Sequence, residues 1–183
     1  MKFMIKCIKR YIKDKLYLFH FIFFLGCQAD EVNINSLKLV YDNEIYEPKI
    51  SIFQNENLVI KATSSKLFKN EGEDALLAGK VISDFFNEDG LHVSTLYSDS
   101  AIIENISNNL VAFGNVKVVS DSGYTLLSDK ILWNNQYKLV TSKDSVVFTN
   151  LFNDTLYGVG FESDIDLTKS KIYKPFGIVR ERN

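Results

Sequence analysis

From Leu37 onward, apolar and polar residues alternate over short runs, and clusters of turn-forming residues separate the runs. Val116 and Val118 alternate with Asn115 and Lys117, and Leu91, Val93 and Thr95 alternate with His92, Ser94 and Leu96. A period of two marks strands that turn one face inward. The turn clusters are regularly spaced: Asn55-Glu56-Asn57, Asn87-Glu88-Asp89-Gly90, Asn105 to Asn109, Ser120-Asp121-Ser122-Gly123, Asn134-Asn135 and Asn153-Asp154. Only Pro48 and Pro175 interrupt, and no stretch of the body has helical periodicity. The pattern predicts an all-β sandwich, barrel or solenoid.

The pattern also repeats. Ser64-Ser65-Lys66-Leu67-Phe68 resembles Ser98-Asp99-Ser100-Ala101-Ile102, and both resemble Ser128-Asp129-Lys130-Ile131-Leu132. Ser163-Asp164-Ile165-Asp166-Leu167 is a weaker fourth copy, and the spacings are 34, 30 and 35 residues. A second element recurs about 15 residues further on. It is Gly79-Lys80-Val81-Ile82, then Gly114-Asn115-Val116-Lys117, then Lys143-Asp144-Ser145-Val146. Each unit thus offers about three short strands. One such unit cannot bury its own apolar face, so stacked copies must share a core. The expectation is an elongated two-sheet β-structure, open at both ends.

Open ends leave unpaired backbone groups, which are covered, charged, or used to add a partner's strand. The closing segment Ile172-Tyr173-Lys174-Pro175-Phe176-Gly177-Ile178-Val179 is apolar and precedes a charged tail. It reads as a docking edge with Ile172, Phe176 and Ile178 as anchors, or as an ordinary last strand. The inward faces have two readings as well. A sandwich core needs them, a lipid groove would use the same residues, and pattern alone favours the core.

The N-terminus differs from the body. Lys2, Lys6, Lys9, Arg10, Lys13 and Lys15 form a basic head, and Leu16 to Leu25 is apolar apart from His20. Phe24-Leu25-Gly26-Cys27 follows. This is the order of a bacterial lipoprotein signal: the Cys27 thiol is acylated, then cleavage after Gly26 leaves a lipidated N-terminus. Phe24 stands where leucine is usual. The apolar run is too short for a transmembrane span, which needs roughly 20 residues. The expected organisation is a signal peptide over 1–26, a lipidated tether over 27–36 and a β-domain over 37–183.

Cleavage changes the charge. The whole chain carries a formal −2, but residues 1–26 hold six of the 21 basic residues and one of the 23 acidic ones. The remainder has 15 basic against 22 acidic residues, a formal −7. An acidic body disfavours nucleic acid as a partner. Cys7 leaves with the signal, so Cys27 is the sole mature cysteine and no intramolecular disulfide can form. Enzyme chemistry has little to work with. His92 is the one mature histidine, and no His/Cys cluster has metal-ligand spacing. Gly158 and Gly160 lack the lysine and helix of a phosphate loop. Asp164 and Asp166 suggest calcium or a carboxylate pair, but their place in the repeat favours a turn or strand end. No enzyme activity, metal or cofactor is expected.

Four words in order carry a family resemblance. They are Asn87-Glu88-Asp89-Gly90-Leu91-His92-Val93, Ala112-Phe113-Gly114-Asn115-Val116-Lys117-Val118, Ser128-Asp129-Lys130-Ile131-Leu132-Trp133 and Leu156-Tyr157-Gly158-Val159-Gly160-Phe161-Glu162-Ser163-Asp164. Pro175-Phe176-Gly177-Ile178-Val179 closes the series. Over roughly Leu37 to Val179 the chain resembles the LptC family of the bacterial lipopolysaccharide export machine, in the lipoprotein form of Bacteroidetes-type bacteria. The resemblance implies an OstA/LptA-like β-jellyroll of two V-shaped sheets around an apolar groove. It implies a bridge that accepts lipopolysaccharide from an inner-membrane LptBFG-type transporter and passes it to an LptA-like periplasmic jellyroll. Exposing acyl chains to water costs about 0.8 kcal/mol per CH₂, so such a cargo needs a groove. Alternation together with that groove nominates Val93, Val118, Phe148 and Phe161 as acyl-chain contacts. Well-known members carry a transmembrane helix, whereas this chain carries a lipidation signal. Gln28 after the cysteine points to the outer membrane under the enterobacterial sorting rule. The family role points to the periplasmic face of the inner membrane and is given more weight. The alternatives are a structural or adhesive β-repeat surface lipoprotein and a polysaccharide-active β-solenoid.

Overall fold

The computed structural model describes residues 41–152 and 154–177. The expected signal peptide, Cys27, the expected tether and Ile178 lie outside the described residues. Eleven strands follow one another: β1 (Asn43–Tyr46), β2 (Lys49–Gln54), β3 (Asn57–Thr63), β4 (Lys66–Lys69), β5 (Ala75–Phe86), β6 (His92–Ile103), β7 (Leu110–Ser120), β8 (Thr125–Asn134), β9 (Leu139–Thr149), β10 (Thr155–Asp164) and β11 (Lys171–Phe176). Among the described residues there is no helix. The strands form one antiparallel sheet in the order β1-β4-β5-β6-β7-β8-β9-β10-β11, with β3 also on β5 and β2 on β3. The chain is all-β, as the alternation predicts.

Each turn cluster joins consecutive strands. Asn55 and Glu56, both at positive φ, make the tight β2–β3 hairpin. Such left-handed pairs match the twist of the strands they connect. Between β5 and β6, Asn87 Oδ1 accepts the amides of Asp89 and Leu91, which fixes the turn through a side chain.

The expectation of about three short strands per repeat is corrected by the structure. β5 to β10 are single strands of 10 to 12 residues that bend in the middle. The Gly-Lys, Gly-Asn and Ser-Asp words read as turns or strand ends between short strands, but they are bulges. Pairing slips between Ala78 and Val81, Tyr97 and Ser100, Phe113 and Val116, Ser128 and Leu132, and Val159 and Phe161, then resumes. A bulge re-aims a strand without ending its ladder. Because the slips lie side by side on neighbouring strands, they form a seam along which the sheet folds.

The seam divides the sheet into two layers. One layer holds β1, β4, the first halves of β5, β7 and β9, and the second halves of β6, β8 and β10. The other holds β2, β3 and the complementary halves. Ring contacts join them across the interior. Phe85 of the second layer lies 5.5 Å from Trp133 of the first, and Phe148 lies 5.5 Å from Phe161 in the same sense. Leu77, Leu110, Ile131 and Val140 from one layer, and Ile60, Leu96, Val118 and Leu126 from the other, complete a buried core. Each large side chain so buried contributes about 1.5–3 kcal/mol. The two sheets expected from the sequence are therefore one hydrogen-bonded sheet folded on itself.

Candidate functional site

The interior between the layers, its seam, its rims and the two sheet edges are the parts with functional content. At the seam the first sequence repeat becomes one hydrogen bond made three times. Ser64 Oγ donates to Lys66 O at 2.8 Å, Ser98 Oγ to Ser100 O at 3.0 Å and Ser128 Oγ to Lys130 O at 3.3 Å. All three serines are buried. The second repeat supplies the facing corner. The Ser65 amide donates to Gly79 O at 2.7 Å, and Asn115 Nδ2 donates to Asp99 Oδ2 at 2.7 Å. Gly114 has φ +78, and a Cβ there would meet Asp99 Oδ2 at 2.6 Å, so only glycine fits. The weaker fourth copy departs from this pattern. Ser163 lies at the end of β10, where its hydroxyl meets Asp164 and Ser170 rather than a corner carbonyl.

The four acyl-chain candidates come together in the interior. Val118, Phe148 and Phe161 are buried in the core. Val93 is half-buried and packs against it. Its parity in β6 would turn it outward with Thr95 and Tyr97, but a register slip at His92–Ser94 brings it inward. Sequence reasoning missed Phe85 and the inward serines of the same layer. Ser83 and Ser94 are fully buried, and their hydroxyls, like the Trp133 indole N–H, have no hydrogen-bond partner among the described residues. Buried polar groups are nearly always paired, so three orphans in one interior are unusual. No sequence signal marks them, because serine at an inward position looks like any polar break in alternation.

At the rims, Asp164 and Asp166 hold a turn, in keeping with the strand-end reading. Asp164 accepts the Lys169 amide at 3.0 Å and the Thr168 hydroxyl at 3.0 Å, and Asp166 Oδ1 also accepts from Thr168. Burial would push the Asp164 carboxyl up, but these hydrogen bonds outweigh it and hold it below its usual range. On the same rim, Lys138 lies over the Trp133 ring at 5.2 Å. Burial pushes the Lys138 ammonium down, while Glu88 on the opposite rim pulls it back up.

His92 sits at the other layer's rim. Its Nδ1 is 2.8 Å from Asp121, and its Nε2 is 3.1 Å from Thr95 Oγ1. Carboxylate, imidazole and hydroxyl in series have the order of a nucleophilic triad. The Thr95 hydroxyl, however, donates to Asp84 at 2.9 Å. The series ends in a second carboxylate and ties β5, β6 and the β7–β8 turn together.

The docking-edge residues divide. β11 is the last strand of the sheet. Ile172 packs on the core, and a Cβ on Gly158 would stand 2.1 Å from its methyl, so glycine lets it cross β10. Phe176 is 57% exposed and stacks at 6.2 Å on Tyr157, itself exposed. The other end of the sheet presents β1, exposed along its whole length, with Ile45 and Tyr46 in the open.

A family model described as OstA-like protein matches residues 69–179, well over half of the chain. The match takes in every long bent strand and β11. No curated protein matches the sequence.

Proposed function

The chain belongs to the OstA-like family, a lipopolysaccharide-transport bridge family, and on that premise we propose that it is the LptC-type, membrane-anchored member of such a bridge. It takes lipopolysaccharide from an inner-membrane ATP-driven LptBFG-type transporter and hands it to a periplasmic jellyroll. The observation that carries this reading is the folded sheet itself. It encloses an apolar interior between two layers and, among the described residues, leaves an unpaired strand edge at each end. Acyl chains need the interior, and main-chain pairing needs the edges. In this reading Cys27 carries the lipid that holds the domain at the periplasmic face of the inner membrane, and Phe176 with Ile178 anchors the next jellyroll.

Photo-crosslinkers at Val118, Phe148 and Phe161 are expected to capture lipopolysaccharide in cells. One at Lys117, the outward neighbour of Val118, is expected not to. Equal capture at Lys117 and Val118 overturns the reading. Cys27→Ser is expected to release the chain from membranes when the transporter is absent. For the edge, the cut belongs after Tyr173, which leaves Ile172 on the core. That truncation should keep the fold by circular dichroism and lose the periplasmic partner in a pull-down.

A further inference from the structure

Leu167 is fully buried, belongs to the core, and holds φ +60, a conformation that leucine avoids. It sits in the link between β10 and β11, residues Ile165 to Ser170. That link starts from Asp164 on the rim of one layer and returns to the same layer at Lys171, which pairs with Glu162. In between it reaches the other layer: Ser120 Oγ, at the end of β7, donates to Asp166 O at 2.6 Å. The link is therefore a strap across the gap between the rims, with Leu167 pressed inward as a plug and Ile165 packed beside it. Its shape is held from its own side by Asp164, Asp166 and Ser170, the last donating to Leu167 O at 2.8 Å. Across the gap it is held by the single Ser120 bond among those the structure gives.

Behind the strap the interior is filled by rings in contact, so a chain can enter only if the layers part. The closed interior also carries unmet hydrogen-bonding capacity. Ser94, one of the three orphans, is the cross-strand partner of Ser120 itself.

We infer that the Ile165–Ser170 strap is a latch on the mouth of the fold, closed by Ser120 on Asp166 and plugged by Leu167, which lifts to admit an amphiphile carrying apolar chains and hydrogen-bonding groups. The nature of what enters rests on the proposed transport reading. The latch itself rests on the strained plug, on the bond across the gap that is single among the described residues, and on the polar groups unpartnered among them. Lifting the strap frees Leu167 from its left-handed conformation and opens a path to Ser94.

The test is thiol trapping on the full chain in membranes, counting label above that taken by the parent protein. Leu167→Cys is expected to label faster than Val140→Cys, an equally buried core position that is held in the β9 ladder rather than in the strap. Adding Ser120→Ala is expected to raise the rate at 167 about five-fold, the worth of one net hydrogen bond, and to leave 140 unchanged. Should Leu167→Cys not fold, hydrogen exchange at the Thr168–Ser170 amides in Ser120→Ala gives the same comparison. Equal rates at 167 and 140, or no acceleration by Ser120→Ala, overturns the latch. Photo-crosslinking at Phe161 supplies the second arm. If no lipopolysaccharide is captured in any variant while 167 still opens locally, the transport reading falls and the latch stands.

Discussion

At the seam, the layers are joined through continuous strands whose pairing slips at a bulge and then resumes, and the same Ser and Gly corners recur from strand to strand. At the mouth, the layers meet through side chains and one strap that occurs once among the described residues. The seam is a hinge whose angle is set at positions that few residue types can occupy. The mouth is a closure whose contacts can be undone without breaking any ladder. A fold that must hold its shape and still admit a cargo needs both kinds of joint. The contrast predicts that substitutions at the seam are read in stability and substitutions at the mouth in opening.

Gly114→Ala puts that contrast under the greatest strain. The new Cβ needs a left-handed backbone and collides with Asp99. The conformation alone costs about 1–2 kcal/mol. With the collision, the expected loss is about 3 kcal/mol, or roughly 10 °C in melting temperature. Adding Asp99→Gly removes the collision and should return part of the loss, leaving the backbone share. A melt unchanged by Gly114→Ala would mean that the corner is soft and the seam is no hinge.

A smaller effect is expected at the mouth, and its sign is the informative part. Leu167→Ala removes the plug and should cost about 2 kcal/mol, the low end for a buried leucine. In an ordinary strand, glycine is then worse than alanine by roughly 0.5–1 kcal/mol. At φ +60 the order should reverse, so Leu167→Gly melts higher than Leu167→Ala. If the usual order holds, Leu167 is not strained and the strap stores nothing.

The sequence made the seam legible and the mouth illegible for the same physical reason. Corners recur because every long strand must bend at the same place, so Ser98-Asp99, Ser128-Asp129, Gly79-Lys80 and Gly114-Asn115 appear as repeats. The misreading lay in taking them for turns between short strands, because a bulge and a turn use the same residues. Val118, Phe148 and Phe161, nominated from alternation together with the family groove, are buried in the interior, whereas Val93 reaches the core only through a register slip that alternation cannot reveal. Ser120 and Asp166 are 46 residues apart. Their bond uses a backbone carbonyl, which carries no residue identity to read. Leu167 was hidden in a stretch resembling a fourth repeat copy, and a single leucine among polar residues predicts exposure more readily than a plug.

The least of the expected effects concerns pH and again separates mouth from seam. Asp164 is the strap's main acceptor, and its carboxyl is held below the usual 3.8 despite burial. A carboxyl depressed in the folded state stabilises it fully above the unfolded value, and that contribution is lost as pH falls through the folded value. The strap should therefore be indifferent to pH between 7 and 5 and loosen only below about 4. Hydrogen exchange at the Lys169 amide, which donates to Asp164, reports this once corrected for the intrinsic pH dependence of exchange. Seam amides such as that of Ser65, bonded to Gly79 O, should keep their protection over the same range. Asp164→Asn should abolish the acid-side loosening, because its side chain no longer titrates. Loosening that already begins near pH 6 would place the sensitive group elsewhere on the rim and remove Asp164 from control of the strap.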